Sequence, residues 1–230
     1  MKKIIFVLLT FSATLAAYTQ KDVATLKQFV MSTMSEKNDP PICSMCSQEK
    51  TMLLIDLTLE FKPSLCVDIG VYGGASLFPV AATLKFLGEG RVIGIDPWIK
   101  AETLKNLDPR DASNRQFWQR FPIGGLYPTF QNMIRSHQLE NYCVTMKMTS
   151  EAAAPQITEE IDMLHLDGNH SEEGSMLDVL CYLPKVRKGG YIWITHPLWP
   201  WKQEAVQLLA ESCDLYKIIE NGECFLFKKR

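Results

Sequence analysis

Short runs of apolar residues set the pattern of this chain between residues 65 and 227. Five runs are short enough to be buried parallel strands, and the segments between them are long enough to cross back over a sheet. They are residues 65–69, 91–96, 142–148, 161–167 and 191–195. Two further runs, 215–219 and 224–227, flank Asn221-Gly222, a strong signal for a two-residue hairpin turn. The pattern predicts an α/β fold with a seven-stranded sheet, mostly parallel, that ends in an antiparallel hairpin.

Residues 1–62 follow a different pattern, and we expect them to precede a domain formed by residues 63–230. Residues 1–17 combine early lysines, an apolar stretch and small residues, which is typical of a secretory signal or a membrane anchor. A buried N-terminal helix is the alternative. Residues 18–62 predict a helical N-terminal cap made of two amphipathic helices. If residues 4–17 act as a signal, the protein is exported or membrane-anchored, and if they do not, it is cytoplasmic.

Composition narrows the possible partners. The chain has 230 residues, of which 47% are hydrophobic and 22% charged, enough for one α/β domain with an ample core. Its formal net charge is -2 and its basic residues are scattered, so a nucleic-acid partner is not expected. The spacing Cys43-Ser-Met-Cys46 favours a local disulfide or two unrelated thiols over a zinc site. The oligomeric state is left open by the sequence.

A glycine-rich turn follows the first predicted strand. Gly70, Gly73 and Gly74 allow a ligand to approach the backbone where a side chain would collide. Asp68 lies two residues before the first of these glycines. A carboxylate there would repel a pyrophosphate, whereas it suits a cationic or hydrogen-bond-donating ligand. The methionine part of S-adenosylmethionine is such a ligand.

A second acid, Asp96, ends the second predicted strand. The spacing from Asp68 is sufficient for a helix and a return to a neighbouring parallel strand. A carboxylate at this place can accept hydrogen bonds from both hydroxyls of a ribose. The alternative is a turn residue before Pro97, and the glycine turn upstream favours the nucleoside-binding role.

Together these segments resemble the class I S-adenosylmethionine-dependent methyltransferases, and among them the small-molecule O-methyltransferase-like group called methyltransferase family 24. The resemblance covers roughly residues 64–197, and its specific parts are residues 67–76, 92–98 and 161–171. It implies a Rossmann-like, doubly wound sheet, S-adenosylmethionine as the cofactor and a small-molecule acceptor, methylated at oxygen.

The resemblance also implies a role for individual residues. Asp96 would hold the ribose hydroxyls, Trp98 would lie beside the adenine, and Ser150 with its neighbour Thr149 would contact the adenine edge. Asp167 would orient the acceptor or bind Mg²⁺, and His170 would act as the general base. The residues expected around the methionine and ribose are Asp68, Gly70, Tyr72, Gly73, Gly74 and Ser76.

The sequence departs from this group after the fifth strand. Metal-dependent members carry two acids, or an acid and an amide, where this chain has Thr195-His196. Because Mg²⁺ prefers hard oxygen ligands, a magnesium site is doubtful and no metal ligand is predicted. A transition-metal trio of Asp167, His170 and His196 is the remaining alternative. His165, inside the fourth strand, is expected to be a core residue.

Two segments rich in aromatic residues are candidates for binding the acceptor molecule. Residues 99–125 are predicted to form a lid or an acceptor-binding element, or else a surface insertion packed by its own aromatics. Trp199 and Trp201 are expected to shape an acceptor pocket, or else to pack under the N-terminal helices.

Two other functional classes stay open at this point. A nicotinamide-dependent oxidoreductase is disfavoured because the glycine spacing departs from G-x-G-x-x-G. A non-catalytic binding or effector protein that retains the fold is favoured by the signal-like N-terminus and by the acids that are replaced at Thr195-His196.

Overall fold

The computed structural model describes residues 18–35 and 45–230. Its centre is a seven-stranded sheet with the strand order β3-β2-β1-β4-β5-β7-β6. Strands β1 to β5 pair in parallel, whereas β7 pairs antiparallel with both β5 and β6. The strands are β1 Leu65–Ile69, β2 Arg91–Ile95, β3 Cys143–Met146, β4 Ile161–Leu166, β5 Val186–Thr195, β6 Cys213–Ile219 and β7 Cys224–Lys229. The predicted fold class, including the antiparallel end of the sheet, is confirmed.

Helices cover both faces of the sheet. Long apolar-faced helices follow β1, β4 and β5, and two helices precede β1, as expected for the N-terminal segment. The helices are α1 Gln20–Ser35, α2 Gln48–Phe61, α3 Leu77–Leu87, α4 Lys100–Leu104, α5 Ala112–Arg120, α6 Leu126–Ser136, α7 Ser150–Ala153, α8 Glu172–Tyr182 and α9 Gln203–Ser212. Short 3₁₀ turns at Ile123–Gly125, Ala154–Gln156, Leu183–Lys185, Pro200–Lys202 and Glu220–Gly222 complete the connections.

The two faces of the sheet have separate cores, because successive side chains of a strand point to opposite sides. Cys66 and Met163 belong to the core that α1, α2, α3 and α6 cover. Val67 and Ile69 belong to the core that α8 and α9 cover. Helices α1 and α2 therefore pack directly on the sheet and share its hydrophobic core.

Several predicted strand ends shift by a few residues, and the largest differences are at β5 and at the β6–β7 connection. Strand β5 begins at Val186, earlier than expected, and an irregularity in its pairing with β4 lies between Ile161 and Met163. The connection between β6 and β7 is longer than a two-residue turn, since Ile219 pairs with Cys224. Its middle residues have positive φ, 54° at Asn221 and 104° at Gly222, which explains the strong Asn-Gly signal.

Residues 1–17 and Cys43 lie outside the described residues, so the signal or anchor segment and the Cys43–Cys46 pair stay predictions. Within the described part of the chain, no helix is both long and apolar enough to span a bilayer.

Candidate functional site

A cavity of about 260 Å³ opens at the carboxyl ends of β1, β2 and β4. Such an edge is where open parallel sheets bind ligands, because the strands end together and the loops diverge there. The segment 99–125 forms a further wall, with Glu102, Asn106 and Trp118 among its lining residues. Seven predicted site residues line this cavity: Gly70, Tyr72, Asp96, Trp98, Ser150, Asp167 and His170.

Asp96 is fixed at the end of β2 by the backbone. The Tyr72 N–H donates to its Oδ2 at 2.9 Å and the Trp98 N–H donates to its Oδ1 at 2.6 Å. Burial raises the pKa of Asp96 to about 6, although these two hydrogen bonds act to lower it. A carboxylate oxygen has more than one acceptor site. Asp96 can therefore accept further hydrogen bonds from a ligand in the cavity.

Tyr72 and Trp98 form a linked pair beside Asp96. Both adopt the left-handed region, with φ of 51° and 49°, which is uncommon for bulky residues and marks a constrained site. Trp98 Nε1 donates to the Tyr72 carbonyl oxygen at 2.8 Å. The indole is buried and stacks on Phe130 with ring centroids 5.5 Å apart. The pair gives the cavity a rigid aromatic wall.

Ser150 is bonded to an acid that the sequence analysis missed. Its hydroxyl donates to Asp178 Oδ1 at 2.5 Å, and Asp178 also lines the cavity. Burial raises the pKa of Asp178 to about 6, although the bond from Ser150 acts to lower it. The sequence does contain a clue to this acid, because Asp178 stands between Leu177 and Val179, among the apolar residues of α8.

Asp68 and Ser76 do not line the main cavity, although Ser76 lines a small cavity beside it together with Gly70 and Tyr72; their expected place around the cofactor's methionine and ribose stays a prediction. Asp68 Oδ2 accepts from Ser76 Oγ at 2.7 Å, and Oδ1 lies 2.7 Å from His165 Nδ1. The physical reason is the alternation along β1, which directs Asp68 to the same face as Cys66, under α2 and α3. His165 lies within the sheet, where the sequence analysis placed it.

The three glycines of the turn differ in their surroundings. Gly70 has φ of +86°, and a Cβ there would lie 2.0 Å from the Asp167 carbonyl oxygen. Gly74 has φ of +90°, but a Cβ there would meet the Phe130 ring at 2.8 Å. Gly74 therefore allows α3 and α6 to pack closely and does not line the cavity, and neither does Gly73. Of these three glycines, Gly70 alone lines the cavity, and its positive φ is a conformation that favours glycine.

Asp167, His170 and His196 converge at one side of the cavity. One ligand-type atom from each lies within 4.8 Å of the others. Thr195 Oγ1 donates a hydrogen bond to Asp167 Oδ1. His170 Nε2 lies 3.9 Å from the same oxygen, while its Nδ1 is buried without a hydrogen-bond partner. Burial lowers the pKa of His170 well below its ordinary value, and Lys202 and His196 act in the same direction. His170 is therefore a neutral imidazole at neutral pH.

This group of side chains does not fit Mg²⁺. Magnesium requires oxygen ligands in octahedral geometry, and the three side chains supply one carboxylate and two imidazoles. The position of the expected acids is taken by Thr195, which is bonded to Asp167, and by His196, whose Nδ1 lies 3.1 Å from Glu223 Oε2. Two imidazoles and a carboxylate are a donor set for transition metals.

The aromatic residues after β5 occupy a place that the sequence analysis did not anticipate. Trp199 stacks on His196, with ring centroids 4.1 Å apart and planes at 6°, and its edge meets His170 at 5.3 Å. Among the described residues that line the main cavity, neither Trp199 nor Trp201 is present. Trp199 thus packs against both histidines, and Trp201 contacts Trp199 with ring centroids 5.5 Å apart. An acceptor-pocket role for the two tryptophans stays a prediction.

The segment 99–125 is tied to the site by Asn169. Asn169 Nδ2 donates to the carbonyl oxygens of Glu102 at 2.7 Å and Lys105 at 3.0 Å. The segment lines the cavity and is bonded to the loop after β4. It is also packed by its own aromatics Phe117, Trp118 and Phe121, as the alternative expected. Asn169 is a second residue that sequence reasoning missed.

Lys50 is a third missed residue. It lies in α2 and lines a small cavity next to the main one, together with Gly70, Tyr72 and Asp167. The signal in the sequence was weak: Lys50 stands one turn before Leu54 on the face of α2 that is otherwise apolar.

Comparisons with known proteins identify the family through a sequence profile and the fold through solved structures. A family profile described as "Methyltransferase domain" matches residues 67–195. The structure of the O-methyltransferase NovP has a TM-score of 0.65 at 14% identity, covering 90% of this chain and 96% of that chain. The O-methyltransferase TomG from Streptomyces achromogenes, in complex with SAM, gives 0.58 at 14% identity, covering 96% and 94%. The SAH-bound Podospora anserina methyltransferase PaMTH1 gives 0.57 at 10% identity, covering 100% and 97%.

At these identities the structural likeness shows a common fold. No curated protein sequence matches this chain significantly. The profile match covers more than half of the chain and includes the glycine turn, Asp96 and the segment that carries Asp167 and His170. The chain therefore belongs to this family of methyltransferase domains.

Proposed function

We propose that this protein transfers the methyl group of S-adenosylmethionine to an oxygen atom of a small-molecule acceptor, with His170 accepting the acceptor's proton. The observation that carries the proposal is Asp96, a carboxylate held by two backbone N–H groups at the end of β2 in a cavity that also contains Trp98 and Ser150. This arrangement supplies hydrogen-bond acceptors for ribose hydroxyls and an aromatic surface for a purine.

The rate of methyl transfer depends mainly on the alignment of the reacting atoms and less on acid–base catalysis. When bound, S-adenosylmethionine supplies a sulfonium methyl group, whose bond to sulfur breaks, leaving the electron pair on sulfur, as the bond to the acceptor oxygen forms. The walls of the cavity hold the acceptor, and positioning of this kind supplies most of the acceleration in an in-line displacement. Segment 99–125 supplies one of these walls.

His170 is suited to take the proton that the acceptor hydroxyl loses. Its buried imidazole is neutral, so a ring nitrogen is available to accept, while the low pKa makes it a weaker base than an exposed histidine. Once protonated, the imidazolium faces the carboxylate of Asp167, whose Oδ1 is 3.9 Å from Nε2. Thr195 holds that carboxylate in place through its hydroxyl hydrogen bond. Asp167 thus stabilises the protonated histidine and orients the acceptor.

The test combines binding and turnover. Calorimetric titration of the purified protein with S-adenosylmethionine and with NAD should give binding of the first and none of the second. Asp96→Ala should weaken S-adenosylmethionine binding by about 1–3 kcal/mol, because ribose hydroxyls lose a charged acceptor. Transfer of a labelled methyl group to a panel of small hydroxyl compounds then identifies the acceptor. Unchanged affinity in Asp96→Ala would contradict the proposal.

A non-catalytic binding protein is the second candidate, and the replacement of the expected acids by Thr195 and His196 favours it. It predicts that S-adenosylmethionine binds, that Asp96→Ala weakens this binding, and that no acceptor in the panel becomes labelled. Labelling of any acceptor that is lost in His170→Ala excludes this candidate.

A further inference from the structure

A second, small cavity adjoins the main one. It has a volume of about 30 Å³ and lies between α2 and the edge of the sheet. Three of its lining residues, Gly70, Tyr72 and Asp167, also line the main cavity. A ligand whose nucleoside lies against Asp96 and extends across the Gly70–Tyr72 turn would therefore reach this space. The volume suffices for about one small polar group.

Lys50 brings a positive charge to this place. Its side chain is only 12% exposed, and Nζ lies 3.5 Å from Glu220 Oε2. Burial alone lowers the pKa of Lys50, but Cys224, Asp167 and Glu220 together overcome this effect and raise it. The ammonium therefore stays protonated although it is mostly buried.

Few cations compete with Lys50 for an anionic ligand group. Among the described residues that line the two cavities, the lysine and arginine side chains are those of Lys50 and Lys105. The Lys105 side chain is 61% exposed, and its Nζ lies 3.8 Å from Oε2 of Glu102, three residues earlier in the chain. Lys50 is therefore the cation that solvent screens least, and it lies at the far side of the Gly70–Tyr72 turn from Asp96.

We propose that Lys50 binds the carboxylate of the methionine moiety of S-adenosylmethionine. The inference rests on the proposed function, since it assumes that the nucleoside of this cofactor lies at Asp96 and Trp98. The methionine moiety carries a carboxylate that must leave water when the site closes, and a buried carboxylate requires a cation or several hydrogen-bond donors. Lys50 supplies such a cation from α2, so the N-terminal helices complete the cofactor site.

The experiment compares two ligands that differ in the amino-acid part. S-adenosylhomocysteine has the carboxylate, whereas 5′-methylthioadenosine keeps the nucleoside and the sulfur and lacks it. Calorimetry on the full chain should show that Lys50→Met weakens S-adenosylhomocysteine binding about 10- to 100-fold. Binding of 5′-methylthioadenosine should stay within about 2-fold of the original protein. Lys50→Arg should recover most of the loss, because it restores the charge.

Two further variants separate this role from a structural one. Lys27→Met removes a lysine of α1 that pairs with Asp56 and lines neither cavity, so it should leave both affinities unchanged. Lys50→Gln removes the charge but keeps a hydrogen-bond donor, and it replaces Lys50→Met if that variant does not fold. Its affinity for S-adenosylhomocysteine should fall in the same selective manner.

The outcomes are distinct. An equal loss of affinity for both ligands in the Lys50 variants would overturn the inference and assign Lys50 a structural role. Unchanged affinity for both ligands would overturn it as well, while leaving the proposed function intact. If the unmodified protein binds neither ligand, the proposed function fails and the inference fails with it.

Discussion

Asp68 and His165 form a buried pair on neighbouring parallel strands, with Oδ1 and Nδ1 2.7 Å apart. The other oxygen of Asp68 accepts from Ser76, the residue that precedes α3. The acid that first suggests a cofactor thus lies beneath the glycine turn and joins β1, β4 and the start of α3. Through these contacts Asp68 packs under the turn that Gly70 and Tyr72 present to the cavity.

The Asp68–His165 pair predicts a pH-dependent stability. Burial lowers the pKa of His165, but the Asp68 carboxylate outweighs this and raises it above its ordinary value. A histidine whose folded pKa is raised contributes stability that is complete below its unfolded pKa of about 6.5 and is lost as pH rises through the folded pKa. Thermal unfolding of the original protein and of His165→Gln should differ most at acid pH and converge as pH rises. A difference that grows with pH would contradict this assignment.

Asp96 predicts a pH dependence of cofactor affinity. Its pKa is raised to about 6 by burial, and only the ionised form offers charged acceptors to ribose hydroxyls. We expect full affinity for S-adenosylhomocysteine above pH 6 and a decline as pH falls through that value. Calorimetric titrations between about pH 5 and pH 8 measure this affinity as a function of pH. In Asp96→Asn the affinity should be lower and should lack this transition, and an unaltered transition in that variant would assign it to another group.

Gly70 and Gly88 form a matched pair for testing the glycine turn. Both have positive φ, +86° and +76°, but a Cβ at Gly88 meets nothing within 4 Å, whereas a Cβ at Gly70 would lie 2.0 Å from the Asp167 carbonyl oxygen. Gly88→Ala should cost about 1 kcal/mol of unfolding free energy for the backbone conformation. Gly70→Ala should cost distinctly more and should also weaken cofactor binding, because the loop that carries Asp167 must move. Chemical denaturation measures the unfolding free energy of both variants. Equal losses in the two variants would show that the close contact at Gly70 adds no cost.

His170 is expected to affect turnover and not binding. His170→Ala should lower kcat by about 10²–10⁴ while leaving the affinity for S-adenosylhomocysteine nearly unchanged. His165→Gln is the control, since His165 packs within the sheet and should affect stability first. If kcat fell strongly in the folded His165 variant and stayed unchanged in His170→Ala, the general base would be His165 and not His170.

The side chains at the site predict methyl transfer without Mg²⁺. One carboxylate and two imidazoles within 4.8 Å are poor ligands for magnesium. Excess EDTA should therefore leave the rate of methyl transfer unchanged, and added Mg²⁺ should not raise it. Zn²⁺ should inhibit, because it binds imidazole and would occupy His170. A rate lost in EDTA and restored by Mg²⁺ would show that the expected acids are supplied by other residues.

Much of the fold and part of the site followed from local sequence. Apolar runs of strand length located the strands, since a parallel sheet buries both of its faces and its strands are apolar throughout. Acids and glycines at the ends of these runs located the ligand edge, because all parallel strands end there together. Asp96 and Gly70 were found in this way, whereas Asp167 and His170 were taken from the resemblance to methyltransferases, and the family match confirms that resemblance.

What the sequence left undetermined depends on contacts between distant segments. Alternation along β1 directs Asp68 away from Val67 and Ile69, but both faces are buried, so the sequence does not show that the partner is His165 on β4. Lys50 lies in a helix that precedes the sheet, and only packing of α2 on the sheet brings it to the cofactor edge. Local patterns determine which elements form and which residues end them. Tertiary packing decides which side chains meet, because strands that are buried on both faces are apolar throughout and lack the one-sided hydrophobic pattern that would specify their register.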